Sequence, residues 1–344
     1  MVNLPRRAGI GALLSWLGAC SAPGELTRAA PGARPPAEAV LTPWLTLTGG
    51  WRGQPQAAVS DPLQRAGGLA GALASGLPRP ALPANGLGAR LNFVWPVALA
   101  ARDDTVLVAD AGLRQLLRVD RGRDQATPIA ALPADRGLAL QLAADGSVWL
   151  AEPASGQLRQ IDRDGRALRA WRDDRLAARP VAVAWLPESG GQLLVADAQL
   201  AQVVAFDVFG RALHRFGQGR LQSVVAMAAG PAGLYVVDRQ AQQVHVFDRG
   251  GDWRASMGAD SLVMPGAIAV DRGGRVFVAD EADAAIHVFV GGERVARLGA
   301  AALRMARIDA LAVDGNLLYA ADSLGSRVQI LLITPESLRR PEPS

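Results

Sequence analysis

VLVAD at 106–110 is followed by VWLAE at 148–152, LLVAD at 193–197, LYVVD at 234–238, VFVAD at 276–280 and LYAAD at 318–322. Each copy is a short apolar run closed by an acid: Asp110, Glu152, Asp197, Asp238, Asp280 and Asp322. Successive acids are 42, 45, 41, 42 and 42 residues apart. A repeat of that length marks a propeller or a solenoid, in which each unit buries its apolar faces against its neighbours.

Outward from each copy, three further extended segments recur. Before it lies a first strand, such as PVALAA at 96–101 or GAIAV at 266–270, joined to it by a turn such as DRGG at 271–274. After it comes a third strand, seen as VVAFD at 203–207, VHVFD at 244–248 and IHVFV at 286–290. A shorter fourth follows, as in ALHRFG at 212–217, WRASMG at 253–258 and RVARLG at 294–299. Four- to six-residue runs rich in Val, Leu and Phe, punctuated by Asp, Gly and Arg, read as strands. No stretch keeps a 3.6-residue period for ten residues, which excludes helical solenoids. Six such units predict an all-β chain, a six-bladed β-propeller of four-stranded blades. The sixth unit runs into Pro335 without a clear fourth strand, while WLTLTGG at 44–50 reads as a spare one. Placed beside 328–333, it would complete blade six and close the ring, removing open strand edges.

These residues resemble the NHL-repeat propellers over about residues 85–333. Phe93-Val94-Trp95-Pro96 matches the family's opening, and the alanine-aspartate endings and the Val-Phe third strands match its core. The family's usual Asn-x-Arg loop is degraded here to Leu113-Arg114, Ser155-Gly156 and Ala201-Gln202, and Glu152 replaces Asp in blade two. The resemblance implies the fold and leaves open any ligand role of those loops.

The N-terminus reads as an address. Arg6 and Arg7 precede an apolar stretch of about a dozen residues, the length of a signal-peptide core and too short to span a bilayer. It ends in Leu17-Gly18-Ala19-Cys20, which resembles a bacterial lipobox, and Cys20 is the only cysteine in the chain. Residues 1–19 are therefore expected to be a lipoprotein signal peptide, with acylation at Cys20 as the membrane attachment. By resemblance to Gram-negative sorting, Ser21 favours the outer membrane, facing the periplasm. Residues 20–43, rich in Pro, Ala and Gly, read as a tether. The propeller is expected over 44–335 with an insertion at about 51–90, and 336–344 as a tail.

Composition narrows the function. Half of the 344 residues are apolar and 20% are charged, so the chain can bury a large core. All 36 basic residues are Arg, set against 32 acids for a net charge of +4. Because Arg holds its proton far into the alkaline range, that small excess alone makes the chain basic on titration. Basic runs with interleaved aromatics are missing, so no nucleic-acid partner is expected. The six repeated acids would ring one end of the propeller. They could form a cation-binding mouth, but a residue present in every repeat more often serves the repeat, by accepting backbone N–H groups in its own loop. His245 and His287 fall at the same register of third strands and His214 in a fourth strand, away from the channel. Propeller lyases of the peptidylglycine-amidating type need several His near the channel, and gluconolactonase-type enzymes need converging Glu, Asn and Asp. The first strands are instead apolar, so no cofactor and no metal site is expected. A protein-binding module of the cell envelope is the leading expectation, with a protein or an envelope ligand as partner. A lyase or lactonase working on the acid-ring face is the alternative. Arg136, Arg179, Arg220, Arg304 and Arg307 should share that face with the insertion.

Overall fold

In the computed structural model of the chain, the structure describes residues 41–47, 49–53, 90–103, 105–120, 125–133, 135, 137–175, 177–186 and 191–333. All of them fall within one compact unit, Pro35–Ser344. The expected leader with Cys20, the tether up to residue 40, insertion residues 54–89 and the tail lie outside the described residues.

Three strands come first: β1 (Leu41–Leu47), β2 (Gly49–Gly53) and β3 (Arg90–Asn92). Blade one is β4 (Pro96–Arg102), β5 (Thr105–Asp110), β6 (Gln115–Asp120) and β7 (Gln125–Ala131). Blade two is β8 (Ala139–Leu142), β9 (Val148–Glu152), β10 (Gln157–Ile161) and β11 (Ala167–Arg172). Blade three is β12 (Pro180–Leu186), β13 (Gln192–Asp197), β14 (Gln202–Phe206) and β15 (Ala212–Phe216). Blade four is β16 (Val224–Gly230), β17 (Gly233–Asp238), β18 (Gln243–Phe247) and β19 (Trp253–Met257). Blade five is β20 (Pro265–Val270), β21 (Val276–Asp280), β22 (Ala285–Val290) and β23 (Glu293–Leu298). A four-residue helix, α1 (Ala300–Leu303), then leads into β24 (Ala310–Asp314), β25 (Leu317–Asp322) and β26 (Arg327–Ile333) of blade six. The chain is a six-bladed β-propeller of antiparallel four-stranded blades.

The second strands are buried along all or nearly all of their length because each is covered on both faces by neighbouring blades. That two-sided burial is why they read as unbroken apolar runs instead of alternating ones. The outer strands β11, β15 and β19 are largely exposed and carry Arg and Ala. The core is divided into six apolar clusters, one per blade interface. Blade one packs Leu107 with Leu150 and Ile161 of blade two, and on its other side Val108 and Leu117 with Tyr319 of blade six. The ring therefore has no interface left open.

Closure is by the N-terminal strand, in the sheet order β1-β26-β25-β24. Its position corrects the sequence expectation by three residues: the strand is Leu41–Leu47, not 44–50. β1 pairs with β26 from Leu41 opposite Ile333 to Leu47 opposite Val328, with a bulge between Pro43 and Leu45. Pro43 has no N–H to give, which is tolerated on an outermost strand. The bulge shifts the side-chain alternation by one residue. Leu41 therefore packs into the interface with blade five and Leu47 into the interface with blade one. Gly49 to Gly53 is a separate strand: β2 pairs with β3 and runs parallel to β7, so these two strands extend the sheet of four-stranded blade one to six. The insertion thus begins and ends as sheet, with Arg52 opposite Arg90.

Candidate functional site

Strand alternation gives the propeller two ends. One carries the hairpins between first and second strands and between third and fourth strands. The other carries the second-to-third turns, the connections between blades and the six acids.

The acids are buried and engaged locally. Asp110 accepts the N–H groups of Val94 at 2.7 Å and Trp95 at 2.9 Å, in the segment entering blade one, and of Leu113 at 2.9 Å in the β5–β6 turn. Asp238 repeats this with Gln222 (2.6 Å), Ser223 (3.0 Å) and Ala241 (3.0 Å). Asp280 does so with Val263 (2.6 Å), Met264 (3.0 Å) and Ala282 (2.9 Å). Asp322 holds Ala306, Arg307 and Gly325 and is also paired with Arg327 at 3.0 Å, while Asp197 holds Arg179 and Leu200. Each aspartate ties the strand entering its blade to the turn leaving it.

The turns explain why this is needed. Their last residues, Arg114, Gly156, Ala201, Gln242, Ala284 and Ser326, all have positive φ, between 47° and 68°. Five of the six carry a Cβ, for which a left-handed backbone costs about 1–2 kcal/mol. Charge-assisted N–H bonds, worth about 1.5–3 kcal/mol each, offset it.

Blade two departs from the pattern. Glu152 is one methylene longer, lies against Arg159 at 2.5 Å and accepts Ser155 Oγ–H at 3.2 Å. The bridging is done from the other side by Asp135, which accepts Gly137 N–H at 2.8 Å and Ala154 N–H at 3.0 Å. Nothing in the repeat pattern singled out Asp135.

A second group, also missed from sequence, lies at the same end. Glu281 is ion-paired with Arg239 and stands 3.7 Å from Arg307 Nη2. Arg307 Nε donates to Asp309 at 2.8 Å, and Arg239 Nε to the Pro265 carbonyl at 3.1 Å. A Cβ on Gly266, in the first strand of blade five, would come within 3.2 Å of Glu281 Oε1, so this charged chain sits against a first strand. The available signal was position: Arg239 and Glu281 directly follow ring acids, where other blades place Ala111, Pro153, Ala198 and Ser323.

Of the other arginines expected at this end, Arg179 and Arg304 are exposed and Arg220 stacks over Trp253 at 4.0 Å. Arg136 lies outside the described residues. Exposed apolar side chains join them: Leu200, Val263, Met264 and Leu324 all sit on connections or turns of the acid-ring end. The insertion returns here as well, since β3 leads directly into Val94 and Trp95, both bound by Asp110.

The histidines stand apart. His245 and His287 are buried in third strands; His245 Nδ1 meets Ser256 Oγ at 2.9 Å, and His287 Nε2 meets Asp283 at 3.3 Å. Burial lowers both imidazoles below the ordinary value of 6.5, although Asp238 and Asp283 pull the other way. Below that value the unfolded chain takes up protons that the folded chain refuses. The stability is therefore complete above about 6.5 and is lost as pH falls toward the folded values. The melting temperature should drop between pH 7 and pH 5, and the double variant His245→Gln, His287→Gln should show a shallower drop. An unchanged slope would assign the acid sensitivity to other groups.

Among the described residues no group of three or more His, Cys, Asp or Glu is arranged to hold a metal ion. Comparison with known proteins turned up no matching protein-family model and no matching curated protein. Solved structures do match. Virginiamycin B lyase from Staphylococcus aureus superposes with a TM-score of 0.51 at 15% identity, over 67% of this chain and 78% of that one. A streptogramin B lyase gives 0.52 at 10% identity, over 67% and 77%. A putative gluconolactonase gives 0.54 at 15% identity, over 70% and 89%. What they share with this chain is the fold. At such identities the likeness extends to blade architecture and carries no residue of their sites across.

Proposed function

We propose that the chain is a lipid-anchored, periplasm-facing propeller of the NHL-repeat type that binds another envelope protein through its acid-ring end. The observation that carries this reading is the set of exposed apolar side chains there, Leu200, Val263, Met264 and Leu324, interspersed with Arg179, Arg220 and Arg304. A polar surface with scattered apolar contacts and arginines has the make-up of a non-obligate protein interface. The same end receives the insertion, the one connection that breaks the repeat. The ring acids belong to the frame beneath that surface. The anchor rests on Leu17-Gly18-Ala19-Cys20, with the sole cysteine at the acylation position.

Lyase or lactonase chemistry at the same end is the second reading. It draws on the structural neighbours and on Glu281, held between Arg239 and Arg307 against a first strand. Turnover of a lactone or a cyclic ester by the purified protein, abolished in Glu281→Gln, would establish it.

The binding reading is tested in envelope fractions. Cys20→Ser should leave the protein soluble or uncleaved, and replacing residues 60–85 by a short Gly/Ser loop should remove its cross-linked partners while the domain stays folded. Equal membrane recovery of the Cys20→Ser chain after a carbonate wash would remove the anchor. Unchanged partners without the insertion would make that segment a spacer.

A further inference from the structure

At the opposite, hairpin end, a cavity of about 310 Å³ opens between blades one and two. Leu107, Ile129 and Leu142 give it an apolar lining, and Arg102, Arg118 and Arg163 line it from three different turns and strands. Asp103 and Asp145 also line it, so cations outnumber anions there by three to two. Asp145 is turned into its own hairpin, where Oδ1 accepts the N–H and Oγ–H of Ser147 at 2.9 and 2.7 Å.

Several other arginines of the ring are committed to carboxylates. Arg159, Arg211, Arg254, Arg275 and Arg297 each close on a carboxylate. Among the described residues, no ion pair engages Arg102, Arg118 or Arg163. Arg118 Nη1 donates to the Arg163 carbonyl at 2.8 Å, which orients the guanidinium and leaves its other N–H groups available. The wall is also held firmly. Gly165, in the turn that carries Arg163, has φ +85° and is seated so close to blade one that a Cβ would fall 1.6 Å from the Ile129 carbonyl oxygen. The turn is locked against the neighbouring blade, so the cleft needs little ordering before a ligand enters.

We propose that this cleft binds a small organic anion, an oxyanion head (carboxylate or phosphate) on a short apolar body. The guanidinium forks suit an oxyanion, since Arg presents parallel N–H groups to carboxylate and phosphate alike. The apolar lining rejects a bare ion in favour of one with a hydrocarbon part. This is a site at the other end of the molecule from the proposed protein interface and does not depend on it.

The test is calorimetric titration of the full-length protein at low salt with hexanoate, phenyl phosphate, hexanol and inorganic phosphate. Hexanoate or phenyl phosphate should bind saturably, with hexanol and inorganic phosphate at least about tenfold weaker. The tighter of the two organic anions identifies the head group. Arg102→Gln and, separately, Arg163→Gln should each weaken that anion about tenfold, the scale of one lost charge-assisted bond. No saturable binding of either organic anion at millimolar concentration would overturn the proposal. So would binding that both arginine variants leave unchanged.

Discussion

Asp238→Ala is expected to cost about 4 kcal/mol and to lower the melting temperature by on the order of ten degrees. The carboxylate is fully buried and accepts three N–H groups, from Gln222, Ser223 and Ala241. Alanine leaves those donors without an acceptor in a dry site, and removes what holds Gln242 at a φ of 55°. Glu152→Ala is expected to cost less, because Asp135 already bridges blade two from the opposite side. Urea titrations of the two variants provide the comparison. A ring whose acids served only a ligand would give Asp238→Ala the midpoint of the parent protein.

Deleting residues 41–47 should have a larger effect still. β26 would lose its outer partner, from Ile333 opposite Leu41 to Val328 opposite Leu47, and blade six would present a raw apolar edge. Two interfaces would each lose a buried leucine. Leu41→Ala and Leu47→Ala alone should each cost about 2–5 kcal/mol, the range for emptying a packed leucine site. The deletion is expected to abolish the single cooperative transition or drive aggregation, seen by calorimetry and light scattering. A deleted chain that melts like its parent would place the closure elsewhere.

Much of this architecture is legible in the sequence because the second strands are buried on both faces and cannot vary in character. LLVAD and VFVAD advertise themselves as sandwiched strands, and their spacing counts the blades. The closing strand was legible in kind but displaced by three residues. A proline at position 43 argues against a strand unless that strand is outermost and bulged, and only the partner strand reveals that it is. The left-handed turn residues were invisible for a related reason. Ala201, Gln242 and Ala284 carry no glycine signature, since the ring acids opening their turns, Asp197, Asp238 and Asp280, compensate their conformation through backbone N–H bonds. Asp135 and the Arg239–Glu281–Arg307 chain were missed because they belong to single blades. A repeat-based reading finds what repeats and passes over what differs.

Site-specific photocrosslinking tests most directly whether a partner binds at the acid-ring end. A photoreactive residue is placed in turn at Leu324 and Val263, exposed on the acid-ring end, and at Phe209, exposed on a third-to-fourth-strand turn of the hairpin end. Adducts in intact envelopes from Leu324 and Val263 but not from Phe209 are the predicted result. Adducts confined to Phe209 would contradict it.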